Sequence, residues 1–271
     1  MTPTAGQALA QSGLVPIDAH VLLAHVAGRD RAWLAGHRDE PLTRAQADDF
    51  FALAKRRRAG EPVAYLTGVR EFYGLALAVT PSVLIPRPET ETLVELALAW
   101  LPKDRSVRVL DLGTGSGAIA LALAHERRDA RVVASDISAD ALAVARGNAQ
   151  RLGLSNVELV ASDWYAGVDG AFDAIVSNPP YVAPRDPHLV EGDLRYEPKA
   201  ALVAGDEGLA ALRVVAGGAA AHLAPRGMLA VEHGFAQSEA VRAMLRDAGF
   251  VDITVRRDLA GIPRVAGGRL A

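Results

Sequence analysis

The spacing of apolar residues changes along the chain, and the changes divide it. Over residues 14–60 the spacing is helical. Leu14, Ile17, Val21, Leu22 and Val26 form one stripe. Ala45, Ala47, Phe50, Phe51 and Leu53 form a second, with Thr43 placed as its N-cap. Lys55-Arg56-Arg57-Arg58 closes that helix and Gly60 ends it. Cations in a last turn suit the helix dipole, and that role suffices to explain the run. Residues 61–90 are richer in turns. Arg70–Tyr73 and Leu75–Thr80 are spaced to pair as a hairpin about Gly74. Pro86 and Pro88 stiffen the segment that follows, and a helix then runs through Leu93, Leu96, Ala97 and Leu101. A domain boundary is expected between about 75 and 90.

From residue 105 onward, short apolar runs alternate with helical spacing. Strands are expected at 107–111, 131–136, 157–160, 172–177, 228–232 and 251–255, with a possible seventh at 263–270. Helices are expected after 117, after Ser138, over about 207–223 and over about 236–248. This alternation predicts an α/β fold with a parallel, doubly wound sheet and helices on both faces. Ligands of such sheets bind beyond the carboxyl ends of the strands, at the switch point.

Composition narrows the function classes. Half of the 271 residues are apolar, an ordinary balance for a globular chain with a sizeable core. The net charge of −3 is a poor footprint for a long nucleic-acid duplex. The absence of cysteine removes disulfides, thiol nucleophiles and Cys-ligated zinc. No apolar run approaches a membrane span, and residues 1–7 lack the pattern of a signal peptide. A cytoplasmic location is expected, with no membrane contact.

Two motifs carry chemistry. Asp111-Leu112-Gly113-Thr114-Gly115-Ser116-Gly117 ends the first strand of the expected sheet. Its glycines let the backbone turn sharply and approach a ligand closely. Asp136 ends the next strand, where an acid can accept from ribose hydroxyls. The pair fits a nucleoside cofactor, and leaves a nicotinamide dinucleotide and S-adenosylmethionine both open. Asp163-Trp164, after the third strand, suits an adenine ring. The second motif is Asn178-Pro179-Pro180-Tyr181, at the end of the fourth strand. The two prolines stiffen it, and Asn178 brings one acceptor and one donating NH2. Such a loop suits a planar group bearing an NH2, which points to methyl transfer onto nitrogen rather than to hydride transfer. Asn178, Pro179 and Tyr181 are the expected catalytic group, with Pro180 completing the substrate pocket.

Asp111–Gly117 with Asn178–Tyr181 resembles the class I S-adenosylmethionine-dependent methyltransferases that act on planar nitrogens. Gly60–Gly68, Arg70-Glu71-Phe72 and Leu84–Glu91 resemble more narrowly the bacterial glutamine methyltransferases of peptide chain release factors (the PrmC, or HemK, family). Arg195-Tyr196-Glu197-Pro198 and Val231-Glu232-His233-Gly234 resemble the same family. The resemblance implies a small helical N-terminal domain that recognises the substrate (1–75), a linking hairpin (76–90) and a Rossmann-like, seven-stranded methyltransferase domain (91–271). It implies N5-methylation of the glutamine in the Gly-Gly-Gln loop of class 1 release factors, with S-adenosylhomocysteine as the product. It places the cofactor on Gly113, Thr114, Gly115, Ser116, Gly117, Asp136, Trp164 and Asn178, and Pro86–Glu89 over the site. Direct nucleic-acid binding is not expected. A nucleic-acid amine methyltransferase is the alternative, because the catalytic loop alone does not separate a base from an amide.

Overall fold

The structure, a computed structural model, describes residues 2–271. It forms two compact units. One comprises the described part of Met1–Val69 together with His188–Tyr196, and the other Arg70–Pro187 together with Glu197–Ala271.

The first unit is helical: α1 (Ala5–Gln11), α2 (Pro16–Ala27), α3 (Arg31–Gly36), α4 (Arg44–Arg58) and α5 (Val63–Thr67). The Thr43 hydroxyl accepts the Gln46 N–H at 3.2 Å, and the Gln46 side-chain oxygen accepts the Thr43 N–H at 3.0 Å. This reciprocal cap satisfies two backbone donors that a helix start leaves orphaned. Thr4 and Gln7 repeat it at α1, a helix too short and Ala-rich to announce itself by apolar spacing. Leu9, Leu22, Leu23, Leu34, Phe50 and Leu66 form the core.

The basic run at the end of α4 does more than complement a dipole. Arg57 donates to Asp18 at 2.7 Å and to Asp193 at 2.8 Å. Arg195 and Tyr196 both donate to the Ala59 carbonyl at the end of the same helix. Residues 188–196 thus belong to the helical unit although they lie far along the chain.

The second unit begins with a hairpin of β1 (Val69–Phe72) and β2 (Leu75–Ala78). Tyr73 and Gly74 at its tip both take positive φ, the geometry of a tight two-residue hairpin turn. Phe72, Leu75 and Leu77 are buried in the core of this unit. The hairpin lies where the apolar spacing about Gly74 predicts it. A short 3-10 turn at Pro88–Thr90 leads into α6 (Glu91–Trp100). The alternation follows: β3 (Arg108–Leu112), α7 (Ala118–Glu126), β4 (Arg131–Asp136), α8 (Ala139–Arg151), β5 (Val157–Ala161) and β6 (Phe172–Ser177). Beyond β6 come the short α9 (Lys199–Leu202) and α10 (Gly205–Gly208), then α11 (Ala210–Ala219). The chain ends with β7 (Leu223–Glu232), α12 (Ser238–Asp247), β8 (Phe250–Arg257) and β9 (Pro263–Leu270).

The seven strands are ordered β5-β4-β3-β6-β7-β9-β8. Six of them, β3 to β8, run in one direction, close to the parallel sheet expected. The sheet is not parallel throughout, because β9 runs antiparallel to both β7 and β8. The cause is local. Only residues 258–262 join β8 to β9, and so short a link can connect only antiparallel neighbours. Asp258 closes that turn by accepting the Ala260 and Ile262 N–H groups. One apolar cluster fills each face of the sheet. No helix among the described residues is long and apolar enough to cross a membrane.

The topology fixes where a ligand can sit. The chain winds outward from β3 through β4 to β5, then returns to place β6 on the other side of β3. The switch point is therefore the β3/β6 junction, where strand carboxyl ends open a crevice. Leu112 pairs with Ser135 and with Ser177, and Ser177 pairs with Val231. The next residues along these strands, Asp136, Gly113, Asn178 and Glu232, thus lie in one row at the carboxyl edge.

Candidate active site

A cavity of about 300 Å³ opens at that edge. Gly113, Thr114, Gly115 and Ser116 line it, with Asp136, Asp163, Trp164, Asn178 and Pro180. These residues come from four different loops, and the sheet register brings them together. Pro86 and Arg87 of the proline-stiffened segment also line it. Three expected site residues do not. Gly117 starts α7, where an added Cβ would press on Leu121 at 2.9 Å; its task is packing under the loop. Pro179 is buried. Tyr181 turns its hydroxyl away, to Glu232.

The glycine loop leaves room for a ligand. Gly113 and Gly115 have φ of +72° and +57°, and a Cβ on either would meet nothing within 4 Å. Their need for glycine is conformational, and the space beside them is open. Gly115 N–H donates to Asp136 Oδ2 at 2.9 Å, and Ser138 N–H donates to Asp136 Oδ1 at 2.9 Å. Each carboxylate oxygen thus has one backbone donor and keeps a lone pair for a hydroxyl pair. Trp164 has φ of +49° and lines the cavity while packing on the core. Ser162 steadies it by donating to the Trp164 carbonyl at 2.7 Å. Ile137, 73 % exposed, adds an apolar wall that spacing alone did not single out. An acid with free lone pairs, an aromatic face and an open glycine turn together fit a nucleoside.

Under the loop, Asp111 is fully buried. Burial pushes its carboxyl from the ordinary 3.8 up to about 7, against the pull of hydrogen bonds from the Thr114 hydroxyl and the Ala120 N–H. The nearby Asp136 charge adds to the rise. Both donors bind Oδ2, at 2.6 and 3.2 Å, and Oδ1 has no partner among the described residues. Asn148 braces the loop from the other side. It exchanges hydrogen bonds with Ala78 of β2 and donates to the Ser116 carbonyl at 2.8 Å.

Asn178 is half-buried at the opposite wall, and its Nδ2 donates to the Thr90 hydroxyl at 3.1 Å. Thr90 in turn donates to Glu232 Oε2 at 2.6 Å. Tyr181 donates to the other oxygen, Oε1, at 2.9 Å. Glu232 is therefore the common acceptor for both ends of the Asn-Pro-Pro-Tyr loop. Burial raises its pKa, opposed by these two hydroxyl donors and by the Arg264 charge. Burial, then the Glu232 charge, raises the Tyr181 phenol too, so it stays a donor. His233 follows, buried and pushed toward its neutral form by burial; its Nδ1–H donates to the Gly234 carbonyl. Arg87 grips buried Glu197 through contacts of 2.7 and 2.8 Å, holding the segment after Tyr196 against the cavity wall. Thr90 and Glu232 carry no local signature as site residues. The available signals were an acid ending an otherwise apolar strand and the place of both residues in segments that resemble the family.

Comparison with known proteins agrees with this geometry. Residues 4–68 match the model of the PrmC N-terminal domain, and residues 90–207 that of the methyltransferase small domain. The release factor glutamine methyltransferase of Bordetella pertussis is 54 % identical over 264 residues, covering 97 % of each chain. That of Escherichia coli K12 is 49 % identical over 253 residues, covering 93 % of this chain and 91 % of the other. Among solved structures, a Pyrococcus furiosus methyltransferase shares the fold with a TM-score of 0.55 at 20 % identity, over 72 % of this chain and 89 % of that one. A T. thermophilus 16S rRNA methyltransferase, solved with AdoMet and guanosine, also scores 0.55 at 22 % identity, over 75 % of this chain and 50 % of its own. A seven-stranded methyltransferase sheet joined to a PrmC-type helical unit, with near-full-length identity of about half to these relatives, makes the chain a member of the release factor glutamine methyltransferase family.

Proposed function

We propose that the protein methylates the side-chain amide N5 of the glutamine in the Gly-Gly-Gln loop of class 1 release factors, in the cytoplasm, as part of translation termination. The observation that carries this reading is the Asn178 amide at the cavity wall, one strand away from the glycine loop. S-adenosylmethionine, when bound, supplies an electrophilic methyl group. Gly113–Ser116, Asp163 and Trp164 would hold it, and Asp136 would accept from its ribose.

The remaining work falls to positioning. An amide nitrogen is a poor nucleophile because its lone pair is delocalised into the carbonyl. Asn178 Oδ1 and the Pro179 carbonyl each accept one N–H of the target glutamine. The two acceptors fix the NH2 plane and align it with the methyl group; alignment of this kind supplies roughly 7–11 kcal/mol in favourable cases. Both bonds strengthen as positive charge grows on nitrogen, so they favour the transition state over the bound substrate. The proton leaves after transfer, and no strong base is required. Pro180 and Arg87 close the cavity around the amide.

The test is mass spectrometry of a purified release factor after incubation with the protein and S-adenosylmethionine. One methyl group on the Gly-Gly-Gln glutamine is expected. N178A should lower turnover by about 100-fold or more while binding S-adenosylhomocysteine nearly as the parent does. Methyl incorporation into RNA or DNA in parallel reactions, with none into release factor, would replace this reading by a nucleic-acid one.

A further inference from the structure

An asparagine side chain offers an acceptor at one end and a donor at the other, and nothing in its own shape decides which end faces a ligand. In this site the choice is made at a distance. We infer that Thr90 and Glu232 are positioning residues: a one-way hydrogen-bond relay, Asn178 to Thr90 to Glu232, turns the Asn178 carbonyl toward the cavity and so selects an NH2-bearing side chain over a carboxylate. The inference rests on the methyl-transfer reading above and deepens it.

Glu232 is 1 % exposed and both of its oxygens are filled by hydroxyl groups, at 2.6 and 2.9 Å. A carboxylate accepts only. Thr90 is 3 % exposed and has a single hydroxyl proton, which Glu232 takes. The Thr90 oxygen is left with lone pairs alone, so the Asn178 atom 3.1 Å from it must be the donating Nδ2. Among the described residues nothing donates to Asn178 Oδ1, and it is left for the cavity. A flipped amide would set the Asn178 carbonyl against the Thr90 lone pairs, an acceptor facing an acceptor inside the protein.

The other end of the loop is anchored in the same way. Tyr181 gives its proton to Glu232, and its carbonyl accepts from Gln237 Nε2 at 3.0 Å. One buried acid therefore sets both the placement of the loop and the polarity of its first side chain. With Oδ1 left for the cavity, and the Pro179 carbonyl as the second acceptor of the mechanism proposed above, the pocket presents two acceptors. Glutamine satisfies them; glutamate repels them.

The test measures substrate choice as well as rate. Affinity for two release factors is compared in the presence of S-adenosylhomocysteine, one natural and one with its target glutamine changed to glutamate. The parent enzyme should prefer glutamine by about tenfold or more, as a site of matched hydrogen bonds does. T90V keeps the shape but removes the hydroxyl, and T90A does so with less bulk. In both, the preference should shrink to within about threefold and kcat should fall roughly 10- to 100-fold, while S-adenosylhomocysteine affinity holds. T90S, which keeps the hydroxyl, should restore both. A T90V or T90A protein that binds S-adenosylhomocysteine and still prefers glutamine as strongly as the parent overturns the relay, and so does a T90S protein that has lost the preference. Failure of the parent to methylate release factor at all would instead sink the reading on which the relay rests.

Discussion

Replacing Asp111 by Asn should make the protein more stable at alkaline pH and not at acid pH. Asp111 is completely buried, and its carboxyl sits at about 7 instead of the ordinary 3.8. The folded state thus holds the proton more tightly than the unfolded one. An acid shifted in this direction weakens the fold as pH rises from about 4 to about 7, and the full penalty stands above 7. A displacement of that size is worth roughly 4 kcal/mol. Asn removes the charge and keeps one oxygen, which can accept from the Thr114 hydroxyl and the Ala120 N–H as Oδ2 does now. Its NH2 takes the place of Oδ1, which has no partner, and an unsatisfied buried donor costs about 1–3 kcal/mol. The net gain at pH 8.5 is then about 1–3 kcal/mol. At pH 4 most of the gain vanishes, because Asp111 is neutral in the folded state and only about half ionised in the unfolded one, and the variant is level with the parent or weaker. Urea denaturation of both proteins at the two pH values measures the difference. A stability difference that stays constant between pH 4 and pH 8.5 refutes the reasoning.

Two further outcomes follow from the packing. Gly208 has φ of +86°, and a Cβ there would overlap the Tyr181 carbonyl, so G208A should displace the end of the Asn178–Tyr181 loop; turnover should fall by at least about tenfold with S-adenosylhomocysteine binding retained, checked by steady-state kinetics and calorimetry. T43A removes the reciprocal cap of α4 and should cost the helical unit about 1 kcal/mol, read as faster hydrogen exchange across Arg44–Arg58.

The sequence spoke most clearly where chemistry is local. Glycines beside an acid at a strand end, and an Asn followed by two prolines, each carry their meaning within a few residues. The strand and helix alternation was likewise legible, because period 2 and period 3.6 are short-range properties. Long-range pairing hid the rest. Glu232 becomes part of the site because Ser177 pairs with Val231, residues more than fifty positions apart. Tyr181 is expected in the catalytic group from its place in the motif; the structure sends its hydroxyl to Glu232. The direction of β9 escaped because the apolar pattern of a strand is the same read forward or backward. The seat of residues 188–196 escaped because it depends on an ion pair between Arg57 and Asp193.

That last segment has a consequence for modularity. The helical unit is built from two separate stretches of chain, so the backbone passes between the units near residues 69, 187 and 196. A single cut near residue 70 would remove the helices and strand 188–196 without its anchors on α4. Grafting this unit onto another catalytic sheet requires moving both pieces, and the inserted piece begins seven residues beyond Tyr181. A unit wired in this manner cannot be exchanged like an appended domain.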